Sequence, residues 1–179
     1  RGNILLHNVF KIIVAFVMIS FGYSSVMPSE FQYNQSTEQA FYFVIDANVA
    51  DDPLEAGDWI AAFNGELCVG ARQWDGPFTD IPVMGDDGED YSQGYLLPGE
   101  YPTFKIYDFS TGSIYDAQPS PNIGFPIGLL AFFEIESLDV VYDCAGNLGG
   151  SATVDNCETC VGGNTGLIAC ISDCNGVDG

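Results

Sequence analysis

Between residues 31 and 142, short apolar runs recur between polar and turn-forming positions and show no three-to-four-residue recurrence, so this stretch reads as strands and not helices. Aromatic and β-branched runs lie between Gly, Pro and Asp punctuation at residues 41–47 (FYFVIDA), 58–63 (DWIAAF), 66–74 (ELCVGARQW), 103–109 (TFKIYDF), 113–117 (SIYDA) and 129–141. Asn64-Gly65 separates the second and third runs, and Asn-Gly accepts positive φ at both central positions of a type I′ turn, which predicts a β-hairpin there. Ser110-Thr111-Gly112 predicts a second hairpin between the fourth and fifth runs. Six or more short strands in ~110 residues, divided by turn signals, predict an all-β fold: an antiparallel β-sandwich over residues 31–142.

Both ends depart from this pattern. Residues 12–21 (IIVAFVMISF) are a charge-free apolar run after Arg1 and Lys11, followed by the small residues Gly22, Ser24 and Ser25. That order predicts a secretory signal peptide over residues 1–25, cleaved near Ser24 or Ser25; the run is shorter than the ~20 residues of a membrane span. The alternative is a retained anchor or a buried strand, and membrane contact is expected only through an uncleaved signal. At the other end five of the 6 Cys, and many Gly, fall within residues 143–179. DCAGNLGG at Asp143 returns as DCNGVDG at Asp173, an internal period of about 30 residues whose second copy stops at Gly179, so a truncated repeat is expected. Behind an export signal Cys144, Cys157, Cys160 and Cys170 are expected to form two disulfides in an irregular, disulfide-rich Cys/Gly tail, zinc being the lesser alternative for the Cys157/Cys160 CxxC pair. Cys174 is left for a partner further on, and Cys68 for a buried, unpaired place in the sandwich.

Charge then narrows the partners. The formal net charge is −21, with 25 acidic residues against 4 basic ones, which argues against nucleic acid. Loss of residues 1–25 would remove Arg1, Lys11 and the single histidine, His7, leaving only Arg72 and Lys105 against all the carboxylates. Two loops concentrate them: Asp51, Asp52, Glu55 and Asp58 in ADDPLEAGD, and Asp86, Asp87, Glu89 and Asp90 in GDDGEDYSQG. Dense carboxylates interleaved with Gly suit a hard cation, so Ca²⁺ is the expected cofactor at Asp51, Asp52, Glu55, Asp86, Asp87, Glu89 and Asp90. A solvated acidic surface is the alternative. Among the aromatics Trp59, Trp74, Phe78, Tyr91, Tyr95, Tyr101 and Tyr107, the expected ligand-binding rings are Trp74, Tyr91 and Tyr95, with Trp59 expected to pack in the core.

A resemblance adds to this reading. AGDWIAAFNGELCVGARQW followed by IPVMGDDGEDYSQGYLLPGEYPTFKIYD resembles a β module of large exported multidomain bacterial proteins. DCAGNLGGSATVDNCETCVGGNTG is similar to the Cys, Gly and Asp-rich repeats behind such modules, loosely like thrombospondin type 3 repeats, although it lacks their regular DxDxDG spacing. The likeness spans roughly residues 41–179 and implies a secreted or cell-surface location with an accessory, binding or structural role.

Without a histidine after His7, Ser-His and Cys-His nucleophile pairs have no base, and no phosphate-binding glycine motif occurs. The sequence therefore favours a non-catalytic, calcium-stabilised binding or adhesion module, its partner a glycan or a cell-surface or extracellular protein. Two alternatives stand beside it: a self-assembling subunit of an extracellular filament or sheath built by strand addition, and a small glycoside hydrolase using two carboxylates.

Overall fold

The computed structural model describes residues 26–126 and 131–170. The expected signal over residues 1–25, the first two positions of the sixth expected strand, and Asp173 and Cys174 of the second repeat copy lie outside the described residues. The strands are β1 (Gln39–Val49), β2 (Asp52–Pro53), β3 (Trp59–Asn64), β4 (Leu67–Gln73), β5 (Thr79–Met84), β6 (Thr103–Asp108), β7 (Ser113–Ser120), β8 (Ala131–Val140), β9 (Thr153–Val154) and β10 (Cys160–Val161). Among the described residues no helix is long and apolar enough to cross a membrane.

One curled sheet, ordered β2-β1-β8-β7-β6-β3-β4 with β5 also on β1, makes both layers of the sandwich. The strand shared between them is β7. Its first half pairs with β6, from Phe104↔Ala117 to Asp108↔Ser113, and its second half pairs with β8, from Gln118↔Asp139 to Ser120↔Ser137. The inward side chains of both layers meet in one core that includes Tyr42, Val44, Ile60, Val69, Ile81, Phe104, Ile106, Ile135 and Leu138, all fully buried. A second cluster of Phe31, Ala61, Phe63, Cys68 and Ala71 lies on the other face of β3 and β4, beneath a 3-10 turn at Ser29–Phe31. Phe31 meets the Phe63 ring edge-on at 5.8 Å between centroids. Because β3 is buried on both faces, residues 59–63 (WIAAF) read as an unbroken apolar run without alternation.

Three details refine the sequence reading. The sandwich is mixed: β1 and β8 run parallel, from Ala40↔Ala131 to Val49↔Val140, while the other ladders are antiparallel. Parallel partners need a long crossover, and here most of the domain separates them; side-chain alternation carries no information on strand direction. The Asn64-Gly65 hairpin forms one residue out of the expected place. Asn64 pairs with Leu67, so Gly65 and Glu66 are the central residues, and only Gly65 has positive φ, at 58°. One positive φ at the first central position is the requirement of a type II′ turn. Two consecutive positive φ values occur instead in another hairpin, at Ala50 (52°) and Asp51 (70°), between Val49 and Asp52 of β1 and β2.

The third detail is β5, which is not among the expected runs and which contains Pro82. The Gly85 amide donates to the Glu38 carbonyl at 2.7 Å, and alternation from there puts Phe41↔Pro82 in a non-hydrogen-bonded pair. Pro82 therefore turns its missing N–H away from β1 and costs the ladder nothing. Its carbonyl faces β4, where a Cβ added to Gly70 would stand 2.0 Å from the Pro82 oxygen. At this seam β4 and β5 pack without a ladder, tied by Arg72, whose Nε donates to the Asp80 carbonyl at 3.0 Å and whose Nη2 meets the Asp80 carboxylate at 2.6 Å.

The tail leaves β8 and docks on the sandwich. Leu148 packs against the main core, the Gly149 amide donates to the Val141 carbonyl at 2.9 Å, and Ala152 and Val161 are buried. Disulfides join Cys144 to Cys160 and Cys157 to Cys170, so the four expected cysteines do form two bridges. Cys68 is free and buried, also as expected, with its thiol donating to the Phe31 carbonyl at 3.3 Å. Burial pushes that thiol up to about 11, out of the reactive range.

Since backbone at the β4–β5 seam cannot move aside for a methyl group, Gly70→Ala is expected to destabilise the domain by about 1–3 kcal/mol. In calorimetry this would lower the melting temperature by roughly 2–4 °C per kcal/mol.

Candidate functional site: an acidic cleft between the sandwich and the tail

A cavity of about 550 Å³ opens at one end of the sandwich. Val49, Ala50, Asp52, Pro53, Leu54 and Glu55 form one wall, Asp108, Ser110 and Thr111 the other, and Tyr115 and Leu148 the side toward the tail, with Asp58 between the walls. The walls come from two loops whose shapes are set by carboxylates. Asp58, 8% exposed, accepts from the Glu55 amide at 2.7 Å and from the Phe109 amide at 2.9 Å, so one side chain clamps both loops. Asp108 accepts from the Ser110 amide at 2.8 Å, the Thr111 amide at 3.2 Å and the Thr111 hydroxyl at 2.9 Å, closing the Ser110-Thr111-Gly112 turn as an Asx turn. Partial burial works against ionisation of Asp108, but these hydrogen bonds from Ser110 and Thr111 outweigh it and hold the carboxyl below its ordinary range.

Asp52 and Glu55 differ from that pair. Both line the cleft, and neither carboxylate has a hydrogen bond or ion pair among the described residues. The cleft thus joins two carboxylates fixed by hydrogen bonds to their loops to two whose oxygens are free for a ligand, with Leu54, Tyr115 and Leu148 supplying apolar surface. Asp51 sits in the left-handed turn at the lip and does not line the cavity. The turn residues Ala50 and Asp51 both occupy a backbone region that favours Gly and Asn, and strain of that kind collects at ligand sites.

The second acidic loop is organised around one residue. Asp87 accepts through Oδ2 from the Thr37 amide (2.9 Å), the Thr37 hydroxyl (3.0 Å) and the Tyr91 hydroxyl (2.9 Å), and through Oδ1 from the Ser92 hydroxyl (2.6 Å) and the Glu89 amide (3.3 Å). The Ser92 hydroxyl first, then the Thr37 amide, hold this carboxyl far below its usual range. Asp86 accepts from the Gly88 amide at 2.9 Å, and Glu89 and Asp90 are exposed. Among the described residues the one group of three metal-type ligand atoms within 4.8 Å is Asp155, Cys157 and Cys170, and two of those are joined as a disulfide. Neither acidic loop brings three carboxylates to such a distance.

The expected ligand aromatics do not meet. Trp74 is partly buried against the main core, its amide bonded to the Asp58 carbonyl at the start of β3. Tyr95 is 4% exposed, with its hydroxyl accepting from the Asn34 amide and donating to the Asn34 carbonyl. Asn64, at the far end of β3, donates to the Gly94 and Tyr95 carbonyls, so Trp74 and Tyr95 stand roughly 20 Å apart along the strand. Tyr91 is exposed and tethered to Asp87. Trp59 packs on the second cluster as expected.

In the tail, Asp143 and Asp155 build the same loop twice. Asp143 accepts through Oδ1 from the amides two and four residues on, Ala145 and Asn147, and through Oδ2 from the distant Ala152 amide. Asp155 does likewise with Cys157 and Thr159, and then Cys170. Each loop also closes by a backbone bond, Asp143 N to Asn147 O and Asp155 N to Thr159 O, both 2.9 Å, and each has positive φ at its fourth residue, Gly146 and Glu158. The Asn147 amide in the first loop and the Cys170 amide in the second are the main causes that depress these two carboxyls.

The chain matches no protein-family model, no curated protein and no solved structure.

Acid should loosen both the Asp87 loop and the tail. Their carboxyls lie below the unfolded value of about 3.9, so their contribution is complete at neutral pH, persists to about pH 4 and fades as pH falls through the depressed values. Melting curves from pH 7 to pH 2 should show a plateau and then a fall, and Asp155→Asn should lower the melting point more at pH 7 than at pH 2. A separate expectation follows from the lip: Ala50→Asn with Asp51→Gly should raise stability by ~0.5–1 kcal/mol in urea unfolding.

Proposed function

We propose that the chain is a non-catalytic binding module, secreted or held at a cell surface, whose ligand seat is the cleft bounded by Asp52, Glu55, Asp108 and Tyr115. The observation that carries the reading is the pairing of clamped with unclamped carboxylates in one cavity. Asp58 and Asp108 spend their oxygens on loop geometry, whereas Asp52 and Glu55 present theirs. Carboxylate acceptors, the Ser110 and Thr111 hydroxyls and an apolar flank at Leu54 and Tyr115 suit a hydroxylated ligand such as a glycan, which needs acceptors for its hydroxyls and contact for its C–H faces. Ca²⁺ fits the same place as a bridge between Asp52, Glu55 and such a ligand, with oxygen-only donors of the kind a hard cation takes.

Extracellular placement is supported by the two disulfides, which persist in oxidising compartments, by the signal-like order of residues 1–25, and by the resemblance of the β module and tail to exported bacterial proteins. An accessory role fits better than hydrolysis. A glycosidase needs one carboxyl to give up a proton, and the two innermost acids here are engaged as acceptors of backbone amides.

The test pairs a glycan array with thermal melts of the wild type and of Asp52→Asn/Glu55→Gln. Array hits are expected to disappear in the double variant while its circular dichroism is unchanged. With a site in the millimolar affinity class, 5 mM Ca²⁺ should stabilise the wild type by ~1 kcal/mol over chelator at matched ionic strength and leave the variant unmoved. Ligand capture that survives the double substitution would move the binding site elsewhere.

A further inference from the structure

The outer face of the β1–β8 ladder carries an apolar surface of a kind that sandwich strands ordinarily show only inward. Tyr42, Val44 and Ile135 point into the core, so alternation sends Phe41, Phe43 and Phe132 outward. Phe41 and Phe132 are directly paired and stacked, with centroids 5.8 Å apart and planes 17° from parallel, and Phe43 lies 6.2 Å from Phe132. Phe132 is 61% exposed. The ladder then continues with Phe43 opposite Glu134, and Glu134 and Glu136 are both exposed. On its other side Phe43 is paired with Asp80, which already holds Arg72. The free carboxylates of this face therefore lie on the β8 side, next to the rings.

We infer that this face docks a basic amphipathic segment of another extracellular protein, its apolar side chains on Phe41, Phe43 and Phe132 and its Lys or Arg residues on Glu134 and Glu136. Charge complementarity selects that occupant. A chain of net charge −21 repels a second copy of itself and attracts cations over a long range. Phenyl rings and carboxylates side by side accept an alkyl-ammonium or guanidinium group better than a neutral partner, because the same cation meets a ring face and a carboxylate together. Exposed ring clusters of this sort mark interaction surfaces. The face belongs to strands of the rigid core and shares no residue with the cleft.

Fluorescence anisotropy with a labelled peptide of alternating Leu and Lys, read at 50 and 300 mM NaCl, tests this on the whole chain. The wild type should bind it at least tenfold more tightly than an oligolysine of equal charge, and Phe132→Ser, which leaves net charge unchanged, should remove that advantage while Phe132→Tyr keeps it. Glu134→Gln/Glu136→Gln should weaken binding and flatten its salt dependence, whereas Glu89→Gln/Asp90→Asn, the same loss of charge elsewhere, should not. Equal affinity for the two peptides, or no effect of Phe132→Ser, overturns the inference. So does a dimer in sedimentation that Phe132→Ser dissolves, since a second copy would then own the face. Asp52→Asn/Glu55→Gln should bind the peptide like the wild type, so failure here and failure of the cleft reading are told apart.

Discussion

The parallel β1–β8 ladder is the constraint on which the other features turn. It joins residues 39–49 to residues 131–140 across most of the domain, so this ladder closes only after the intervening chain has gone round both layers. The two strands also shift phase together. Buried positions step from Val44 to Ala47 in β1 and from Ile135 to Leu138 in β8, three residues instead of two, at matched places in the register. A one-sided shift would turn half of a strand's side chains to the wrong face. Beyond the paired shift, Val49 and Val140 end side by side, and from that point β1 turns into the lip of the cleft while β8 runs into the tail.

Acidic residues do two opposed kinds of work in this molecule. Asp58, Asp87, Asp108, Asp143 and Asp155 accept several hydrogen bonds each, mostly from backbone amides, and hold loops that contain too little apolar surface to hold themselves. The tail is the extreme case, with Leu148, Ala152 and Val161 as its few apolar contacts and two carboxylates and two disulfides in place of a core. Asp52, Glu55, Glu134 and Glu136 have no such duty, and each lies beside apolar surface, where an external donor or cation would find a carboxylate already near contact area. Net charge alone cannot distinguish the two groups; the hydrogen bonds they accept do.

Much of the architecture was legible in the chain because short runs, turn residues and cysteine spacing report local geometry. Both hairpins and the two disulfides follow from such local signals, even though Asn64-Gly65 placed its turn one residue early. β5 carries Pro82, and a proline argues against a central strand but not against a strand whose ladder can use the residues on either side of it. The parallel direction of β1–β8 was hidden because pairing over nearly a hundred residues leaves no trace in periodicity. At the site, Asp52 and Glu55 were visible as an acidic loop, but Asp108, Tyr115 and Leu148 come from distant segments and only the fold assembles them. Trp74 and Tyr95 were expected among the ligand-binding rings, while Asn34 takes up the hydroxyl of Tyr95 and the core takes up Trp74. The outward rings do leave a signal in the chain: in FYFVIDA both faces of the strand are apolar, and a strand with one wet side has no structural need for that.

The interlaced order of the two disulfides has a mechanical meaning. Were the chain pulled from either side of the tail, tension would enter at Cys144, cross to Cys160, run back along three peptide units to Cys157 and leave at Cys170. The two crossings span 5.7 and 6.3 Å between Cα atoms. A fully drawn-out peptide from 144 to 170 would stretch to roughly 90 Å. The covalent short cut holds it to about a quarter of that length, so residues 145–156 and 161–169 never bear load and the tail behaves as a stiff tether that cannot be unreeled.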